Sequence, residues 1–228
     1  GSGVLASSRA DANGNPAKYV IVSTDLATAT DVANGSYELI VTASSQNGNY
    51  YTVNREGAAS NGQALRVFTM GESLNASGSE YASMSVLTVN NKAGLLTSGA
   101  AASALPSGTY SYSGAVNIIE NMAVAVGSGT FTLTADFDTN TATLTAATPA
   151  SSSTNNIGYF FSGSDMPIDQ SEGSFSTSSG LIGVTGGASE SASVEGYFAG
   201  TAAKGVHGVA YTNDNATPDL VGGFYGSR

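Results

Sequence analysis

Apolar and polar side chains alternate along much of this chain, and the 3.6-residue rhythm of an amphipathic helix is nearly absent. The clearest case is "GTFTLTADF" at 129–137: Phe131, Leu133, Ala135 and Phe137 share one side, and Thr130, Thr132, Thr134 and Asp136 the other. Successive residues of a strand face opposite ways, so the pattern predicts a strand with Phe131, Leu133 and Phe137 turned inward and the threonines outward. "DTNT" and then "ATLTAA" at 142–147 extend it into a hairpin with an Asx-type turn. From residue 107 onward eight segments read this way, near 108–116, 129–137, 141–147, 157–162, 173–178, 192–200, 204–212 and 219–226. Short strands at such spacing build a sandwich or a closed up-and-down barrel. The glycines favour the barrel. "VEGYFAGTAAKGVHGVAYT" at 194–212 places one every few residues inside otherwise alternating segments. Glycine weakens a strand and is kept where the chain bends tightly or another backbone comes close, as in a small closed barrel.

The first half has longer strand patterns with fewer glycines: "SYELIVTA", "NYYTVN", "ALRVFTM" and "YASMSVLTVN". The small-residue stretch "TSGAAASALPSG" at 97–108 reads as a connector. Charge shifts there too: residues 1–106 carry 7 acidic and 5 basic side chains (−2), and residues 107–228 carry 10 and 2 (−8). The fold expected is all-β. Residues 1–15 are a flexible N-terminus that opens on a Gly-Ser-Gly cloning remnant, 16–105 a β-rich subdomain, and 106–228 an eight-stranded antiparallel barrel. The polar run "ATPASSSTNN" at 147–156 reads as a long mobile loop within the barrel.

Composition narrows the function. Only 11% of residues are charged, against roughly 25% in ordinary soluble domains, so serine, threonine, asparagine and glycine supply the polarity. A net charge of −10 argues against nucleic acid and anionic lipid as partners. No apolar run is long enough for a transmembrane helix. The absence of cysteine removes disulfides, thiolate metal sites and a cysteine nucleophile. His207 is the one histidine, and no nucleophile-elbow or phosphate-loop motif accompanies it, which argues against an enzyme. "DFDTNT" at 136–141 starts like a calcium loop, but Thr141 stands where the glycine is needed and Ala147 where the glutamate is, so it reads as a turn and no metal site is expected. The aromatic clusters Tyr50–Tyr51, Tyr110–Tyr112 and Tyr159–Phe160–Phe161 serve either as core and strand-pairing residues or as a contact surface.

The C-terminal half resembles the barrel domain of the transferrin-binding protein B family, surface lipoproteins and secreted haemophores of Gram-negative bacteria. Gly196, Phe198, Gly200, Ala203 and Gly208 match in register the family's Gly-x-Phe-x-Gly-x-x-Ala pattern and its later glycine. "VGGFYGSR" at 221–228 is similar to the closing strand, "GTYSYSG" at 108–114 to the first, and "GTFTLTADFDTNTATLTA" at 129–146 to the second and third. Lys204 and Gly205 replace two acidic residues, and His207 replaces a glycine. The resemblance implies that the first subdomain is a strand-built handle. It also implies a non-enzymatic binding protein, either a cell-surface outer-membrane lipoprotein or a secreted one. Such a protein would take haem or an iron-carrier protein and work with an outer-membrane receptor. The alternatives are a host-protein binder for attachment or immune evasion, or a structural adhesive module. A monomer is expected.

Alternation in "KGVHGVAY" puts His207, Val209 and Tyr211 on one face and Val206, Gly208 and Ala210 on the other. If Phe198 faces the lumen, then Tyr197 and His207 point outward, toward the handle or solvent. An outward imidazole near tyrosines makes His207 the haem-ligand candidate, since one histidine suffices for haem iron; the alternatives are an ordinary surface or strand-pairing histidine, or a proton switch. Tyr197, Tyr211, Tyr159 and Phe160 are the binding-surface candidates.

Overall fold

The computed structural model describes residues 4–10, 16–23, 41–44, 50–53, 55–58, 64–74, 81–89, 92–120, 127–213 and 220–228. The first subdomain contains β1 (Val4–Ala10), β2 (Pro16–Ser23), β3 (Val41–Ser44), β4 (Tyr50–Val53), β5 (Arg55–Ala58), β6 (Ala64–Leu74), β7 (Tyr81–Val89) and β8 (Lys92–Ala100). Six of these form one sheet in the order β1-β2-β8-β7-β6-β5, and β3 pairs with β4. β9 (Thr109–Glu120), β10 (Gly127–Asp136), β11 (Thr141–Thr148), β12 (Tyr159–Asp169), β13 (Ser174–Val184), β14 (Ser189–Ala199), β15 (Gly205–Thr212) and β16 (Leu220–Ser227) follow. They close into an eight-stranded antiparallel barrel in which β16 returns to pair with β9.

Each of the eight expected barrel segments is a strand. Phe131, Leu133 and Phe137 lie in the core, and Thr130, Thr132 and Thr134 are exposed. Three expectations are corrected. Residues 4–10, placed in a flexible N-terminus, form β1 and pair with β2 from Val4↔Val22 to Ala10↔Pro16. Thr97 to Ala100, assigned to the connector by their small side chains, complete β8, which lies between β2 and β7. The 147–156 stretch is tied down by its own polar groups: the Ser152 hydroxyl donates to the Pro149 carbonyl (2.7 Å), and the Ile157 N–H donates to Ser153 Oγ (2.8 Å). The expected strand over 36–43 is described only from Val41, so its residues 36–40 lie outside the described residues.

Aromatic rings fill the barrel lumen. Phe198 packs against Phe137 (ring centroids 4.9 Å apart), Phe175 (5.1 Å) and Tyr112 (5.6 Å), and Phe224 packs against Phe131 (5.2 Å). The strand glycines make this possible. A Cβ on Gly196 would lie 2.4 Å from Cζ of Phe175 on the neighbouring strand, and one on Gly208 would lie 2.6 Å from Cζ of Phe224. Each ring therefore lies across the bare backbone of its cross-strand partner. The glycines that weaken the strands locally are what allow a small barrel to hold this many rings at interior packing density.

Candidate functional site

With the phenylalanines inside, the opposite faces of β14, β15 and β16 point outward, and part of that outer wall is covered by the first sheet. Val20, Met84 and Leu95 of the handle-like sheet join Ile119, Val209 and Val221 of the barrel in one apolar cluster, rimmed by Tyr197, Tyr211 and Tyr225. Gly223 sets how closely the sheet approaches. A Cβ there would meet Met84 Sδ at 2.7 Å and Leu95 Cδ1 at 3.2 Å. We expect Gly223→Val to cost about 1–3 kcal/mol by overpacking this seam. Hydrogen exchange should then speed up in β7 and β8 while amides of β10 to β12 keep their protection; uniform loss through the barrel would contradict the assignment.

The connector is fastened as well. The Gly200 N–H donates to the Ala100 carbonyl (2.9 Å), and Ala101 bridges Ala199. At the edge of the seam Lys18 Nζ lies 2.9 Å from Glu172 Oε2 and 5.6 Å above the Tyr197 ring.

His207 sits in the middle of this seam. It pairs with Tyr197 on β14 and Tyr225 on β16, and its side chain is 0% exposed. Its Nδ1 is 3.0 Å from the Thr97 hydroxyl of β8, and its Nε2 is buried with no hydrogen-bond partner among the described residues. Burial pushes the imidazole down to about 3, because a proton would create a charge cut off from water. This is the residue expected as a haem ligand: its side chain does point out of the barrel, and the handle covers it.

The aromatic candidates separate. Tyr159 belongs to the lumen core, which corrects its assignment to a binding surface. Its hydroxyl donates to Glu120 Oε2 at 2.5 Å and accepts from Asn155 Nδ2 at 2.7 Å. Phe160, one residue on, faces the other way and is half-buried on the outer wall. Tyr197 and Tyr211 are half-buried at the seam. The Tyr211 hydroxyl donates to Glu195 Oε1 at 3.3 Å, and burial together with the Glu195 charge pushes the phenol up to about 12. Burial also raises Glu195. Burial, and then the charges of Glu172 and Glu195, raises Tyr197.

The structure thus brings Tyr197, His207 and Tyr211 together and leaves Tyr159 and Phe160 apart from them. Thr97, Glu195 and Tyr225 were missed from the sequence. Glu195 and Tyr225 carried a signal: Glu195 is two residues from Tyr197, and Tyr225 alternates with Phe224, so each lies on its strand's outer face. Thr97 carried none, because its role depends on a contact 110 residues away in the chain.

No family model matches this chain, and no curated protein sequence is similar to it. Its fold does match solved structures. Intact Ap-TbpB, with N and C lobes, superposes with a TM-score of 0.53 at 12% identity, over 98% of this chain and 45% of that one. A mutant of transferrin binding protein B from Haemophilus parasuis Hp5 gives 0.50 at 14% identity, over 98% and 44%. A double mutant of the same protein gives 0.50 at 14%, over 77% and 36%. The chain spans less than half the length of these proteins. At such identities the likeness is one of fold, and on that level the handle and barrel expected from the sequence are present.

Proposed function

We propose that this chain is a non-enzymatic binding module, displayed on a Gram-negative cell surface or secreted, that captures an iron-carrier protein of the transferrin type. The observation that carries this reading is the solid barrel in the fold shared with transferrin binding protein B. Rings fill the lumen, so a partner is met on the outer wall, the seam and the loops, where a protein can dock. Half-buried tyrosines such as Tyr197 and Tyr211 suit such contacts, since they offer large area at little entropic cost. Haem as a free ligand fits less well, because the lone imidazole is sealed by Thr97 and the handle.

Immobilised chain exposed to transferrin and lactoferrin, iron-loaded and iron-free, tests the reading. Saturable binding of a carrier is expected, together with no Soret shift when haem is titrated alone. A folded chain that binds none of the carriers would overturn the reading. A Soret band abolished by His207→Ala would restore the histidine to a ligand role.

A further inference from the structure

We propose that Glu195, between Tyr197 and Tyr211, is the anchor point for a lysine or arginine side chain of a protein partner. This rests on the reading of the chain as a protein-binding module.

The seam already shows how this strip handles a cation. Along the outer edge run Glu172, Tyr197, Glu195 and Tyr211, so that carboxylates alternate with phenol rings. Between the first two, Lys18 Nζ lies 2.9 Å from Glu172 and 5.6 Å above the Tyr197 ring. An ammonium held by a carboxylate and an aromatic face is a favourable arrangement, since the ring quadrupole and the anion attract it together. The geometry recurs one step along. Glu195 lies two residues from Tyr197 on the same face of β14, and its other flank is Tyr211, which pairs with Ser193 on β14 and donates to Glu195 at 3.3 Å. Glu195 is half-buried, and among the described residues no ion pair reaches it. Lys18 is already held by Glu172.

A partly desolvated carboxylate with one long hydrogen bond is under-compensated, and a guanidinium or ammonium supplies what it lacks. The surroundings favour that choice of partner. Residues 107–228 hold ten acidic side chains and two basic ones, Lys204 and Arg228. The surface therefore draws basic groups toward the barrel, and the strip gives one of them a specific seat.

The test uses the whole chain and two peptides of alternating serine and arginine, or serine and citrulline, which differ in charge but hardly in shape. NMR of the tyrosine rings should show saturable shifts at Tyr197 and Tyr211 with the arginine peptide and none with citrulline. Glu195→Gln keeps an acceptor for the Tyr211 hydroxyl, so the fold should hold, and it should weaken the arginine peptide about fivefold or more. Asp165→Asn makes the same charge change on β12 and should leave binding unchanged. Equal binding by Glu195→Gln and the parent, equal weakening by Asp165→Asn, or binding of the citrulline peptide overturns the proposal. These measurements need no carrier protein, so they stand or fall separately from the iron-carrier reading. If a carrier binds parent and Glu195→Gln equally, the reading survives and this site does not.

Discussion

Acidifying the protein from pH 7 to pH 4 is expected to remove about 3 kcal/mol of stability through His207 alone. The imidazole titrates at 6.5 when free and at about 3 in the closed seam. The folded-state value is the lower one, so between these two pH values the unfolded chain binds the extra proton. The full contribution is therefore present above pH 6.5, falls steadily as pH drops, and levels off below about 3. Glu195 works in the opposite sense near its own range, because burial raises its carboxyl and protonation then favours the fold. Asp136 and Asp169 are lowered by hydrogen bonds from Thr139 and Ser171, so they add to acid loss only below their ordinary value of 3.8. The window from pH 6.5 to 4.5 thus belongs chiefly to the histidine. Urea unfolding at half-unit steps should show the slope in the parent and not in His207→Leu. That variant leaves the Thr97 hydroxyl unpaired at every pH, which lowers its curve without tilting it. Identical slopes in the two proteins would show that His207 is not buried as described.

Replacing Phe224 by alanine is expected to destabilise the barrel by about 3–5 kcal/mol. The ring is fully buried, lies across Gly208, and meets Phe131, Phe161 and Phe175 at centroid distances of 5.2, 6.1 and 6.3 Å. Its neighbours cannot close the cavity, because they sit on strands fixed by the barrel's own hydrogen bonds. Refilling from the glycine side does not work either. A Cβ on Gly208 lies 2.3 Å from the Glu195 carbonyl oxygen as well as near the ring, so Phe224→Ala combined with Gly208→Leu should remain destabilised. Thermal and denaturant unfolding would measure both. A loss below about 1 kcal/mol, in the range of a surface change, would argue against a ring-filled lumen.

The faces of the barrel strands were legible because a strand's period is two and one side of each is buried. Phe131, Leu133 and Phe137 then fall inside and their threonine neighbours outside. The Gly-x-Phe pattern was readable for the same reason, since ring and glycine both belong to the lumen face. Runs without alternation were not readable. In Tyr159–Phe160–Phe161 periodicity cannot say which ring is inside; pairing of Phe161 with Ala146 and Ile182 decides it. The extension of β12 to Asp169 was hidden by Pro167 and by a bulge in which Asp165 takes a positive φ of 49° opposite β11. β8 was hidden because the composition of Thr97 to Ala100 is that of a linker.

By itself, then, the sequence determined an all-β chain, eight barrel strands and the direction in which His207, Tyr197 and Tyr211 leave the barrel. Those follow from local alternation, which any neighbour of the right hydrophobicity satisfies. The tertiary structure decided what lies in that direction. The sheet from the first half docks on β15 and β16 through contacts that join residues more than a hundred positions apart, such as Thr97 to His207 and Met84 to Gly223. An outward face became a buried seam at the histidine and stayed half-open at Glu195, because the docked sheet covers one and not the other.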